Sequence, residues 1–119
     1  MDQKRIVGLA LLLGIGAILA GAIYQLGAGD RLARHLNQAY GAEVVLYSAS
    51  WCGVCDHTRA YLTERGHPFV EVDMEQDPKA GREFAQFGGH GVPFLLVKGN
   101  TLRGFQPREI ERLMMRPES

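Results

Sequence analysis

Two hydrophobic patterns divide this chain. From Ile6 to Ile23, apolar and small residues follow one another without a charge, and Tyr24-Gln25-Leu26 carries the stretch on before Asp30. About 20 apolar residues cross the hydrocarbon core of a bilayer. A soluble helix apolar on every side would need a larger domain than the one that follows. Ala20-Gly21-Ala22 has the small-residue pattern of a signal-peptide cleavage site. The apolar run continues past it, which favours a retained single transmembrane helix over residues 1–28. Gly27-Ala28-Gly29 is expected to break that segment. Asp30 would then cap an amphipathic linker helix over 29–41, with Leu32, Leu36 and Ala39 or Tyr40 at helical spacing and Gly41 as its stop.

Beyond Gly41 the pattern is one of short alternating elements, a domain over 42–119. Glu43 to Ser48 is rich in β-branched and aromatic residues and predicts a strand. Val54 to Arg65 predicts a helix ended by Gly66, and Phe69 to Asp73 a second strand with Val70 and Val72 on one face. Pro78 suits the first turn of a helix that runs to about Phe87 and stops at Gly88-Gly89. Phe94 to Val97 predicts a buried strand, Gly99-Asn100 a turn, and Thr101 to Phe105 its hairpin partner. Pro107 opens a last helix carrying Ile110, Leu113 and Met114. The strand–helix–strand units imply parallel pairing with a right-handed crossover, and the hairpin adds an antiparallel strand.

Charge narrows the partners. The chain has 119 residues and zero formal net charge, so nothing points to nucleic acid, whose binders are plainly basic. Lys4, Arg5 and the amino terminus lie before the apolar stretch, and Arg31 and Arg34 after it. The positive-inside rule leans towards a cytoplasmic amino terminus and a periplasmic or extracytoplasmic domain. Within the stretch, Ala10 and Gly14, Gly16 and Ala20, and Ala17 and Gly21 recur at four-residue spacing, a pattern that lets two such helices pack as a weak dimer.

The only two cysteines, Cys52 and Cys55, stand in Ala49-Ser50-Trp51-Cys52-Gly53-Val54-Cys55, between a predicted strand and a predicted helix. The first turn of a helix offers unpaired N–H groups and a partial positive charge, both favouring thiolate over thiol. Thiolate is the species that attacks disulfides, and a second cysteine one turn on can close an intramolecular bridge. The pair predicts a dithiol redox centre. Two cysteines are too few for a stapled secreted scaffold or an independent zinc site. The histidines are His35, His57, His67 and His90, of which only His57 is near the pair in sequence.

The element order, the cysteine motif and Gly91-Val92-Pro93 before the third strand together resemble the thioredoxin fold, in its smaller glutaredoxin branch, over about residues 43–116. Trp51-Cys52-Gly53-Val54-Cys55 is similar to the thioredoxin active-site segment. Gly104-Phe105-Gln106-Pro107 resembles a step in glutaredoxin-like redoxins that supply electrons to ribonucleotide reductase. The resemblance implies a four-stranded mixed sheet in the order β-α-β-α-β-β-α with flanking helices. It implies Cys52 as the exposed attacking thiol, Cys55 as the buried resolving one, and a cis bond before Pro93. It also implies a substrate surface of Trp51, Gly53, Val54, His90, Gly91, Val92, Pro93, Gly104 and Phe105, with the backbone of Val92 pairing with an extended peptide or thiol. Leu46 stands where thioredoxins carry a buried acid.

The expected activity is thiol–disulfide exchange on a disulfide-containing protein or a low-molecular-weight thiol. It needs no metal or organic cofactor, and glutathione or a thiol or redoxin reductase would reset the pair. Two other uses of the same residues stay open: peptide docking without turnover in an assembly module, and a metal or iron–sulfur carrier using both thiols. Arg59 and His57 are expected to be solvated, and Met114 and Met115 to lie at the edge of the core and in the tail.

Overall fold

In the computed structural model residues 2–117 are described, without the side chains of residues 24–26. The extension of the apolar stretch over Tyr24-Gln25-Leu26, as a matter of side chains, lies outside the described residues, as do residue 1 and residues 118–119. The elements are α1 Gln3–Tyr40, β1 Val44–Ser48, α2 Gly53–Glu64, β2 Phe69–Asp73, α3 Pro78–Gln86, β3 Phe94–Val97, β4 Asn100–Arg103 and α4 Pro107–Met114. After α1 this is the predicted order. Helix starts follow local chemistry: Asp77 accepts from the Lys79 N–H ahead of Pro78, and Pro107 opens α4. Gly41, at φ 65°, ends α1 by returning its N–H to Asn37 and Gln38.

The four strands form one sheet in the order β2-β1-β3-β4. β1 is parallel to β2 and antiparallel to β3, and β3 and β4 are an antiparallel hairpin. The second strand–helix–strand unit therefore departs from the parallel pairing expected of it. Its helix is only 9 residues long, and the segment after it turns through Gly88, Gly89 and Gly91, all at positive φ. The chain thus re-enters the sheet beside the carboxyl end of β1, where Phe94 pairs with Tyr47. β4 is also shorter than expected, because Gly104 at φ 83° ends it.

Both faces of the sheet are covered, which is why every residue of β1 is buried. On one face Val45, Tyr47, Phe94 and Leu96 pack against Ala33 and Leu36 of α1 and Ala80 and Phe84 of α3. On the other, Val44, Leu46, Leu95 and Val97 pack against Leu62 of α2 and Ile110 and Leu113 of α4. The last turns of α1 are thus part of the domain. Asn37 fixes them: its amide nitrogen donates towards the carbonyls of Ala42, Glu43 and Leu96 at 2.9–3.1 Å, and its oxygen accepts from Gly99 N–H at 2.9 Å. Tyr40 of α1 and Tyr47 of β1 both donate to the buried Glu83 carboxylate. Burial beside that carboxylate pushes both phenols well up from their ordinary range.

The expected break at Gly27-Ala28-Gly29 is absent: α1 is one helix, and Asp30 lies inside it and caps nothing. A glycine in a helix interior costs only about 1 kcal/mol relative to alanine. Without a proline or a demand for left-handed backbone, propagation from either side carries the helix through. Its amino-terminal half, from Ile6 to Ile23, exposes apolar residues on all sides and packs on nothing in the domain. Those 18 residues span about 27 Å at 1.5 Å per residue, close to a bilayer core. Among the described residues it is the one helix long and apolar enough to cross a membrane.

Asn37→Ala removes the partner of the Gly99 N–H and a donor to three carbonyls, of which that of Glu43 keeps the Lys98 N–H, and should cost about 1–3 kcal/mol of stability. Denaturant unfolding of the full chain in detergent checks this. A second prediction concerns Glu111 on α4, which Tyr61, His67 and Arg65 all contact at 2.7–3.2 Å. Those bonds, Tyr61's first, hold its pKa down to about 2. A carboxylate depressed in the fold stabilises it fully above its unfolded pKa and loses that effect as pH falls through the folded value. Thermal melts should therefore show wild type above Glu111→Gln near neutral pH, with the gap closing between about pH 4.5 and 2.

Candidate active site

β1 delivers the chain to the cysteines. Cys52 is the N-cap of α2, in extended backbone, and its Sγ accepts from the Cys55 N–H at 3.1 Å. The two sulfurs are joined as a disulfide, with Cα atoms 5.3 Å apart, within the range of ordinary bridges. Cys52 keeps 6 % of its surface exposed and Cys55 none. Both cysteines are therefore buried, and Cys52, expected to be the exposed thiol, shows only an edge because Val92 packs over it. The Cys55 N–H lies at the positive end of a 12-residue helix.

The loop between α3 and β3 closes over the pair. Val92–Pro93 is cis, and Val92 packs on the cluster of Ala49, Cys52 and Cys55. The Val92 carbonyl oxygen lies 3.7 Å from Cys52 Sγ, where a reduced thiol can donate to it. Gly104 N–H donates to the Pro93 carbonyl at 2.8 Å, so Gly104 is brought to the same corner. Trp51, Gly53, Val54, His90 and Gly91 are exposed around the motif. Trp51 is 67 % exposed, which places it on the rim and outside the core, and its indole N–H donates to the Glu75 carboxylate. The His90 ring lies against Gly88. Phe105 is placed elsewhere: it packs edge-on to Tyr61, at 5.4 Å between centroids, in the layer under α2 and α4.

Sequence reasoning missed Met74 and Glu75. Met74 packs against the cysteine cluster, and Glu75 holds Trp51. Both lie in the turn after β2, and only the parallel pairing of β2 with β1 brings that turn to the motif. Arg59 is no isolated surface charge: it reaches Glu71 through two nitrogens at 2.5 Å and Asp56 at 2.8 Å. Those contacts raise its pKa further and lower that of Glu71. His57 is exposed, as expected. Met114 is half-buried against the core and Met115 is exposed.

The neighbourhood of Cys55 is apolar. Leu46 is fully buried. Its register partner Glu71 is engaged by Arg59 and by the Ser48 hydroxyl at 2.7 Å. An acid held ionised in this way is a weak proton acceptor. A groove of about 870 Å³, lined by Arg34, Asn37, Lys98 and Arg116 among others, lies at the opposite end of β1 from the cysteines. Among the described residues, no three His, Cys, Asp or Glu side chains gather as a metal site.

Comparison with known proteins agrees with this geometry. A family model described as glutaredoxin matches residues 44–102. The chain is 32 % identical over 72 residues to an uncharacterized glutaredoxin-like 8.6 kDa protein of the Clostridium pasteurianum rubredoxin operon, covering 60 % of this chain and 96 % of that one. It is 32 % identical over 73 residues to the N-acetyl-S-hydroxy-L-cysteine reductase of Bacillus subtilis, covering 59 % and 77 %. Among solved structures, the glutaredoxin-like NrdH-redoxin of Escherichia coli superposes with a TM-score of 0.56 at 24 % identity, over 62 % of this chain and 97 % of that one. The fold is thus thioredoxin-like, with a long apolar helix added at its amino end.

Proposed function

Since the chain belongs to the glutaredoxin family, we propose that it is a membrane-anchored thiol–disulfide oxidoreductase in which Cys52 attacks and Cys55 resolves. One observation carries this reading: the Cys52 sulfur, with an edge open to solvent, caps a helix, a fully buried sulfur lies one turn on, and the Val92 carbonyl stands beside Cys52. In the forward direction the Cys52 thiolate attacks a substrate disulfide, and one substrate sulfur leaves as thiolate. The Cys55 thiol, on losing its proton, attacks Cys52 Sγ, and the second substrate sulfur leaves. Two electrons pass to the substrate and the Cys52–Cys55 bridge remains. No prosthetic group enters these steps. Glutathione, or a thiol or redoxin reductase, returns the two electrons.

The docking surface is the rim around the motif. An extended substrate pairs with the main chain of Val92, in the manner of a strand added to a sheet edge, and Trp51, Val54 and Gly91 flank it. The substrate class is a disulfide-bonded protein or a small oxidised thiol. A relative named for reducing N-acetyl-S-hydroxy-L-cysteine supports the second. The apolar half of α1 anchors the chain, with the redox domain on the extracytoplasmic side.

With Cys55→Ser, the full chain in detergent should accumulate a mixed disulfide on Cys52 that gel electrophoresis resolves and dithiothreitol releases. Cys52→Ser should lose at least a hundredfold in insulin-disulfide reduction, an estimate of about 3 kcal/mol from loss of the nucleophile. Activity retained by Cys52→Ser contradicts the assignment of roles. The anchor and its side are checked together. After carbonate washing the chain should stay with membranes, and an impermeant maleimide should label its reduced cysteines in intact cells. Labelling only after lysis would reverse the topology.

A further inference from the structure

The loop that carries Val92 has little to hold it. Gly88, Gly89 and Gly91 all lie at positive φ, and glycines at such positions give an unrestrained chain many alternatives. Its main-chain ties are at its ends: Gly88 and Gly89 return N–H groups to Ala85 and Phe84 of α3, and Gly104 donates to Pro93. Between them one side chain reaches in from β4. Arg103 is the last residue of that strand and the register partner of Phe94, the first residue after Pro93. Its guanidinium lies over the Phe94 ring, 5.1 Å from the centroid, and Nη2 donates to the Phe87 carbonyl oxygen. Phe87 in turn packs on Phe94, with 5.1 Å between centroids. Gly88 passes so close that a Cβ there would sit 3.4 Å from Arg103 Nη2 and 3.2 Å from the His90 ring.

From this clamp we infer that Arg103 is a positioning residue, which holds the Phe87–Pro93 segment so that the Val92 backbone stands ready for an extended substrate. Among the described residues, the Arg103 side chain contacts Phe87 and Phe94 and makes no hydrogen bond to either cysteine. The inference rests on the oxidoreductase reading for its substrate and adds a determinant of substrate affinity. The guanidinium suits the task because one flat group both stacks on a ring and donates in its own plane. A lysine ammonium has neither the plane nor the fork. Ordering a loop before binding lowers the entropic cost of docking. Loss of the clamp should therefore weaken binding of an extended substrate and leave sulfur chemistry alone.

The test compares wild type, Arg103→Ala and Arg103→Lys as full chains in detergent, with insulin as the extended substrate and dithiothreitol as reductant. Arg103→Ala should raise KM for insulin about tenfold, the effect of one lost charge-assisted hydrogen bond, with kcat within about twofold. Arg103→Lys should restore less than half of that loss. The reduction potential of the pair, and the rate with 5,5′-dithiobis(2-nitrobenzoate), which is too small to pair along Val92, should be unchanged. An unchanged KM for insulin, or an equal loss with the small disulfide, overturns the inference. A wild-type chain inert towards every disulfide would defeat the oxidoreductase reading itself. The clamp is then read by amide exchange at Gly88 and Gly89, whose N–H groups are bonded to Ala85 and Phe84: faster exchange in Arg103→Ala upholds it, and identical exchange overturns it.

Discussion

The contact on which everything functional rests is the cap that Cys52 places on α2. A cysteine sulfur accepts the N–H of Cys55 at the helix entrance, so one bond starts the helix and sets the spacing of the two sulfurs. It works because β1 arrives there rigidly. β1 is buried on both faces and flanked by β2 and β3, which leaves its carboxyl end no freedom to wander. The chemistry is local, and its precision comes from the sheet.

The rim opposite the cap is built differently. The segment before Pro93 is largely glycine and holds its place by attachment: Val92 against the cysteine cluster, Pro93 to Gly104, Phe87 under Arg103. A surface assembled from main chain accepts substrates of many sequences, since every extended peptide offers the same N–H and C=O groups. What such a surface lacks is stiffness, and the neighbouring hairpin supplies it. Leu46 is buried in the core, and its register partner Glu71 is engaged by Arg59.

The amino-terminal helix runs unbroken from an exposed apolar half into the domain. Its last turns complete one face of the domain core through Ala33 and Leu36 and are locked by Asn37. After Gln3-Lys4-Arg5, its stretch from Ile6 to Ile23 is exposed and apolar. Because the helix continues through Gly27 and Gly29, no hinge separates the two halves. With Ile6 to Ile23 in a bilayer, the redox rim would stand at a height and angle set by the helix, a narrower choice of substrates than a flexible tether allows.

Much was legible from residue order alone. Periodicity placed the seven elements of the domain to within about two residues of their observed limits, because alternation, Pro at helix starts and Gly at helix ends act locally. The cysteine pair announced its chemistry for the same reason: its helix position and spacing are short-range facts. Other features needed the folded chain. The direction of β3, the merging of anchor and linker into one helix, the turn of Phe105 into the core and the approach of Met74, Glu75 and Arg103 to the site all depend on segments far apart in sequence. Local pattern specifies which residues face a core. Which core, and beside whom, is decided by how the sheet pairs and what its two faces bury.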